Sequence, residues 1–151
     1  MTENCKDLLE NFIQWGISSD RLSAALLLGS QAREDKKADE YSDIDIVLIV
    51  DEPDYFISSD EWLHKIGEFH VSFIEDTLDG LKERRELFDN ALDADFILRP
   101  KDTVEKIVSD EVAAILSDGY KLLIDKIGLQ DIIKSLLFTK QSPITRQSKI
   151  I

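Results

Sequence analysis

The chain has 151 residues, 43% of them hydrophobic, which is the size of one ordinary domain able to bury a core without disulfides, and its single cysteine, Cys5, cannot form an internal bridge. No apolar run approaches the roughly 18 residues needed to span a bilayer, and Met1 to Asp7 is polar with no apolar signal core behind it, so a soluble cytoplasmic protein with no membrane contact is expected. With 31 acidic against 18 basic residues, the net charge of -13 repels phosphate backbones and argues against long nucleic acid as a substrate; the same charge either steers a small polycation towards a cleft or is a solvated face.

In chain order, Leu8, Leu9, Phe12, Ile13 and Trp15 recur at helical spacing, predicting an amphipathic helix over Cys5–Trp15 that ends near Gly16. Ala24 to Leu28 is a continuous apolar run stopped by Gly29-Ser30, the pattern of a buried strand entering a turn, and polar Gln31 to Tyr41 follows. Asp43 to Val50 is rich in β-branched residues and apolar on both faces beyond its first three positions, so it reads as a central strand. A helix is expected from about Ser58, with Glu61 in capping-box position and Gly67 as its stop; Glu68 to Ile74 then reads as a strand.

Gly80 to Phe88 has the charge content of a surface helix. Leu92 to Leu98 alternates, so that Asp93, Asp95 and Ile97 share one face while Leu92, Ala94, Phe96 and Leu98 share the other, and Pro100 ends the strand. Asp102 with Glu105 signals a helix start before Val104 to Leu116, and Tyr120 to Phe138 reads as one further helical stretch containing Gly128. Strands alternating with helices imply an α/β (α+β) domain, a mixed sheet flanked by helices, over residues 1–138; residues 139–151 read as a polar tail or the start of a further segment.

Chemistry concentrates between Gly29 and Asp95. Glycine lets a backbone approach a phosphate closely, and Ser30 at a helix start adds a hydroxyl and exposed N–H groups, together a cradle for a triphosphate tail. Asp43 and Asp45 stand two apart on a strand and share a face, so both carboxylates can hold divalent cations that also hold the phosphates. Two such charges about 4 Å apart repel by about 4 kcal/mol at an effective dielectric near 20, and a pair of Mg²⁺ ions reverses that sign. One ion would hold the β and γ phosphates and the other would activate attack at the α phosphorus, with pyrophosphate leaving. Asp95, an acid within an apolar strand, is the preferred third carboxylate, as metal ligand and general base; Asp93 lies nearer the strand start, where water can solvate it.

The ordered set from Leu26 to Arg33 (Leu-Leu-Leu-Gly-Ser-Gln-Ala-Arg) and from Ser42 to Ile46 (Ser-Asp-Ile-Asp-Ile) resembles the signature of the DNA polymerase β-type nucleotidyltransferase superfamily. More narrowly, Glu61 to Glu68, Ala94 to Pro100 and Gly119 to Lys126 resemble, in their order along the chain, segments of the aminoglycoside 6-adenylyltransferases that modify streptomycin. The resemblance implies a polymerase β-like fold and transfer of AMP from ATP to a hydroxyl of streptomycin, with Ser30 on the phosphates, Asp43 and Asp45 on the metals and Asp95 as third carboxylate. Arg33 lies either beside the phosphates or paired with Glu34 or Asp35. The resembling enzymes carry a helical second domain behind this core, so either the chain is a fragment of a longer protein or it completes its cleft with a partner or by self-association.

Two further readings differ in class: a minimal nucleotidyltransferase that AMP-modifies a protein partner, and a degenerate domain that only binds nucleotide. The presence of Ser30, Asp43, Asp45 and Asp95 argues against the second. His64 and His70, with Cys5 distant in sequence, are too few for a zinc site. Trp62 and Tyr55 either stack in a pocket or pack in the core, the latter being the commoner fate of aromatics at a helix start.

Overall fold

A computed structural model of the chain describes residues 3–29, 44–76, 82–89, 92–106 and 119–137. Helix α1 (Glu3–Ser18) leads into strand β1 (Leu22–Leu28); β2 (Ile44–Val50) is followed by the short helices α2 (Pro53–Ser58) and α3 (Glu61–His64). Then come β3 (Phe69–Asp76), β4 (Lys82–Phe88) and β5 (Leu92–Pro100), a 3-10 turn at Lys101–Thr103, strand β6 (Tyr120–Asp125) and helix α4 (129–137). The six strands form one sheet in the order β3-β4-β5-β2-β1-β6, in which β2 and β5 run parallel and the other pairs antiparallel. The expected mixed sheet flanked by helices is therefore what the chain builds.

The continuous apolar runs of β1 and β2 follow from their place in the middle of that sheet, where both faces are covered. On one face α1, α2 and α3 pack with Ala25, Leu27, Ile44, Ile46, Leu48, Ala94, Phe96 and Leu98 around Phe12, Phe56 and Trp62. Trp62 is fully buried there, its ring 5.1 Å from Phe96 and its Nε1–H donated to the Phe56 carbonyl at 3.2 Å, so it is a core residue. On the other face Leu129 and Ile133 of α4 cover Ala24, Leu26, Leu28, Val47 and Ile49. That cover does not extend over the whole face: Leu87 and Phe73, on β4 and β3, remain exposed.

Four expected elements differ. The segment Gly80–Phe88 is not a surface helix; within it Lys82–Phe88 is strand β4, with Arg84, Glu86 and Phe88 buried and Lys82 and Leu87 exposed. Its charges hid a period of two, because two of its inward positions hold a buried ion pair rather than apolar side chains. The stretch Tyr120–Phe138 is not one helix but β6 and then α4, separated at Gly128, whose φ of +76° an L side chain rarely adopts. No helix starts at Ser58; α2 starts at Pro53, which suits a first-turn position, and Ser58 closes it by donating its hydroxyl to the Asp54 carbonyl at 2.7 Å. At the start of α3 it is Ser59, not Ser58, whose hydroxyl accepts the Glu61 N–H, at 3.3 Å. Finally, α1 continues past Gly16, which is buried because the helix leans on Leu22 and Ile124 there.

After Pro100 the chain turns through the 3-10 segment and residues 104–106 are helical, while the remainder of the helix expected to Leu116, and the segment 139–151, lie outside the described residues. Among the described residues no helix is long and apolar enough to cross a membrane.

Two polar devices hold the layers in register. Arg84 of β4 donates from Nε to Glu86 Oε1 at 2.8 Å and from Nη1 to the carbonyls of Phe56 and Ile57 at 3.0 and 2.7 Å, tying the end of α2 to the sheet. Burial pushes the Glu86 carboxyl above its ordinary range, against the hydrogen bonds from Ser72 and Arg84. Replacing Arg84 by Met leaves that carboxylate buried without its counter-ion, and a loss of about 3 to 5 kcal/mol in urea denaturation is expected. At the other end, Asp125 accepts the backbone N–H groups of Ile127, Leu129 and Gln130 at 3.2, 2.7 and 3.1 Å and closes the entry to α4. Burial acts to raise the Asp125 carboxyl, but these hydrogen bonds outweigh it and hold the group below its ordinary value. A depressed carboxyl stabilises the fold above its unfolded pKa, and that contribution is lost as pH falls through the folded one. Asp125→Ala is expected to lower stability by about 1 kcal/mol at neutral pH, and the difference from the unaltered chain should shrink in denaturation curves taken below about pH 4.

Candidate active site

The candidate site is built on one transverse row of the sheet. Reading across paired Cα positions, the row runs Phe73 (β3), Arg85 (β4), Asp95 (β5), Asp45 (β2), Leu28 (β1) and Tyr120 (β6). Paired residues of adjacent strands point to the same face, which here is the face that α4 covers only in part. Asp45 and Asp95 thus stand side by side on neighbouring parallel strands, near the starts of the described parts of both. Asp45 also has Gly29 as a neighbour: a Cβ at position 29 would lie 3.7 Å from Asp45 Oδ2, and Gly29 itself turns with φ of +81° directly after β1.

Of the six residues singled out in the sequence, the structure brings three together: Gly29, Asp45 and Asp95. Ser30, Arg33 and Asp43 lie outside the described residues. Among the described residues no group of three or more histidine, cysteine or acidic side chains is close enough to hold a metal ion. Asp45 and Asp95 do offer hard carboxylate oxygens on one face of adjacent strands, a donor type that suits Mg²⁺, with Asp43 two residues before Asp45 in sequence. The donor chemistry fits a divalent cation; the described residues supply two of the expected three carboxylates.

Asp95 is engaged by Arg85. Its Oδ1 accepts the Arg85 Nε–H at 2.7 Å and its Oδ2 accepts from Nη2 at 3.1 Å, a two-pronged pairing across the β4·β5 ladder. Asp93 Oδ1 lies 3.8 Å from the same Nε. The Asp95 hydrogen bonds and charge hold the guanidinium well above its ordinary pKa. Glu83, two residues along β4 on the same face, has its carboxyl raised by burial and by the Asp95 charge, with Arg99 and Arg85 pulling the other way. Arg99 is buried further along β5.

Sequence reasoning missed Arg85, Glu83 and Arg99 as members of this face. Arg85 sits among consecutive charges in Lys82–Glu86, and the signal that would have found it is strand alternation, which places Glu83 and Arg85 on one face and Arg84 and Glu86 on the other. The histidines lie away from this row: the His64 ring is 4.8 Å from that of Phe69, and His70 Nε2 is 2.6 Å from Asp89 Oδ1. Tyr55 is covered by the Arg21 guanidinium, 3.9 Å from its ring centre.

A protein-family model described as streptomycin adenylyltransferase matches residues 2–145. No curated protein matches the chain. Among solved structures, the chain is similar to an aminoglycoside 6-adenyltransferase from Bacillus subtilis, with 19% identity and a TM-score of 0.51 over 70% of this chain and 37% of that one. At that identity the likeness speaks for the fold, and this chain spans a little over a third of the other's length.

The backbone at Gly29 yields a direct check. Gly29→Ala forces a left-handed conformation on a residue with a Cβ and sets that Cβ against the Asp45 carboxylate. A loss of about 1 to 2 kcal/mol is expected in thermal or urea denaturation, and an alanine variant as stable as the parent would mean that this turn is not held as described.

Proposed function

The chain belongs to the streptomycin adenylyltransferase family, and from that membership we propose that it transfers AMP from ATP to a hydroxyl of an aminoglycoside, streptomycin first among them, with release of pyrophosphate. The observation that carries the reading is the pairing of Asp45 with Asp95 across β2 and β5, on an acidic face and beside the turn at Gly29.

In this reading Gly29 allows the nucleotide's phosphates to approach the backbone at the end of β1, and Ser30 and Arg33 hold them. Asp43 and Asp45 would hold two Mg²⁺ ions, with Asp95 as the third ligand. When bound, the ions supply charge neutralisation of the triphosphate and polarisation of the α phosphorus. The acceptor hydroxyl is oriented by Asp95, which takes its proton as the oxygen forms the new bond to the α phosphorus and the bond to pyrophosphate breaks. Asp93 and Glu83, on the same face, together with the net charge of -13, favour a polycationic acceptor over an anionic one. Gly29, Ser30 and Arg33 serve the nucleotide, and Asp43, Asp45 and Asp95 serve the metals and the chemistry.

The test is transfer of label from α-phosphate-labelled ATP with Mg²⁺, run with streptomycin, with other aminoglycosides and with a source-cell extract. Labelled streptomycin is the expected product. Asp45→Asn should remove several kcal/mol of transition-state stabilisation, seen as a loss of about a hundredfold or more, with the thermal transition retained. Transfer that persists in Asp45→Asn would overturn the metal assignment, and label on a protein in place of the drug would overturn the acceptor.

A further inference from the structure

Arg85 stands in a position that the adenylyl-transfer reading leaves unused. It is the cross-strand partner of Asp95 on one side, as Asp45 is on the other, so the Asp95 carboxylate is bracketed by a guanidinium and a second carboxylate along one row. Both Asp95 oxygens are engaged, at 2.7 and 3.1 Å, and a fork of two N–H groups on two oxygens fixes the plane of the carboxylate in a way that a single contact does not. Each oxygen keeps a further lone pair for another partner. The Asp95 side chain is 13% exposed, whereas that of Arg85 is 41% exposed, so the acid is held in the sheet while the guanidinium borders solvent.

We propose that Arg85 is a positioning residue for the third carboxylate: its fork sets the orientation of Asp95 towards Asp45, and its charge is a resident counter-ion that competes with divalent cations for the acid pair. The inference rests on the adenylyl-transfer reading of the same site. Two properties of one side chain are thereby separated. The charge of Arg85 sets how tightly the pair holds a cation, and its geometry sets how well Asp95 serves the acceptor hydroxyl. Lysine keeps the first property and loses the second.

The experiment is titration of Mn²⁺ into the nucleotide-free chain by calorimetry, beside kcat and KM for label transfer at saturating Mg²⁺, for the parent, Arg85→Met, Arg85→Lys and Asp45→Asn. Removing a unit charge roughly 6 Å from a divalent ion at a dielectric close to that of water tightens binding about tenfold. Arg85→Met should therefore bind Mn²⁺ about tenfold more tightly while its kcat falls and its KM for ATP stays near that of the parent. Arg85→Lys should keep the parent's Mn²⁺ affinity and share the low kcat. Parental Mn²⁺ affinity in a folded Arg85→Met, or full kcat in Arg85→Lys, would overturn the proposal; should the methionine variant not fold, the lysine variant decides alone. If the parent takes up Mn²⁺ and Asp45→Asn does not, a negative result in the Arg85 variants counts against Arg85 alone. If parent and Asp45→Asn are alike in taking up none, the metal site itself fails and Arg85 falls with it.

Discussion

The structure turns on the need to keep two carboxylates side by side on neighbouring strands, β2 and β5, that are otherwise largely apolar. Asp45 is the second residue of β2, whose next five residues are all buried, and Asp95 interrupts a strand that contributes Ala94, Phe96 and Leu98 to the core. Acids in such places raise the free energy of the fold unless something opposes their mutual repulsion. Two features here do so. The row lies towards one end of the β2·β5 pairing, on the face that α4 leaves partly open, and Arg85 supplies the opposite charge from the neighbouring strand. The site is thus located where the sheet can tolerate it.

Parallel pairing of β2 with β5 is what sets this geometry. The crossover from β2 runs through α2 and α3 and then through β3 and β4 before β5 returns beside β2. The excursion accomplishes two things: it lays the helices over the core around Phe56 and Trp62, and it places β4 on the far side of β5. Without β4 in that position Asp95 would lie on an edge strand and meet no cation from the sheet. The charge on the site is therefore tied to the topology and not only to local sequence.

How much of this could be read from residues follows from which residues carry their own pattern. Leu22–Leu28 and Ile44–Val50 are legible because a strand covered on both faces has to be continuously apolar, and Leu92–Pro100 because its acids alternate with its apolar positions. Asp45 stood out as the second acid of an Asp-x-Asp pair sharing one face, and Asp95 as an acid within an apolar strand. Lys82–Phe88 was not, since Arg84 and Glu86 occupy inward positions where an apolar pair would have revealed the strand. Tyr120–Asp125 was hidden by its neighbour: its apolar residues merge with those of α4, and Gly128 was the one sign of a break. Arg85 could not be found without β4, because a guanidinium becomes a site residue only once its strand and its register are known.

Consecutive residues of β4 illustrate how one strand serves two faces. Arg84 and Arg85 point in opposite directions, and each is met by a carboxylate: Arg84 by Glu86 on its own strand, Arg85 by Asp95 across the ladder. The first pair is almost wholly shielded, at 6% and 0% side-chain exposure, and its remaining donors end on the carbonyls that close α2 and on the Ser72 hydroxyl. A pair so enclosed, with its arginine held by two carbonyls and a hydroxyl, is closed to exchange with solvent. The second pair borders solvent on its arginine side, so its arginine can yield to another cation and its carboxylate can take a further partner. The difference between a structural ion pair and one poised beside chemistry lies here in access, since residue types and hydrogen-bond lengths are nearly the same on the two faces.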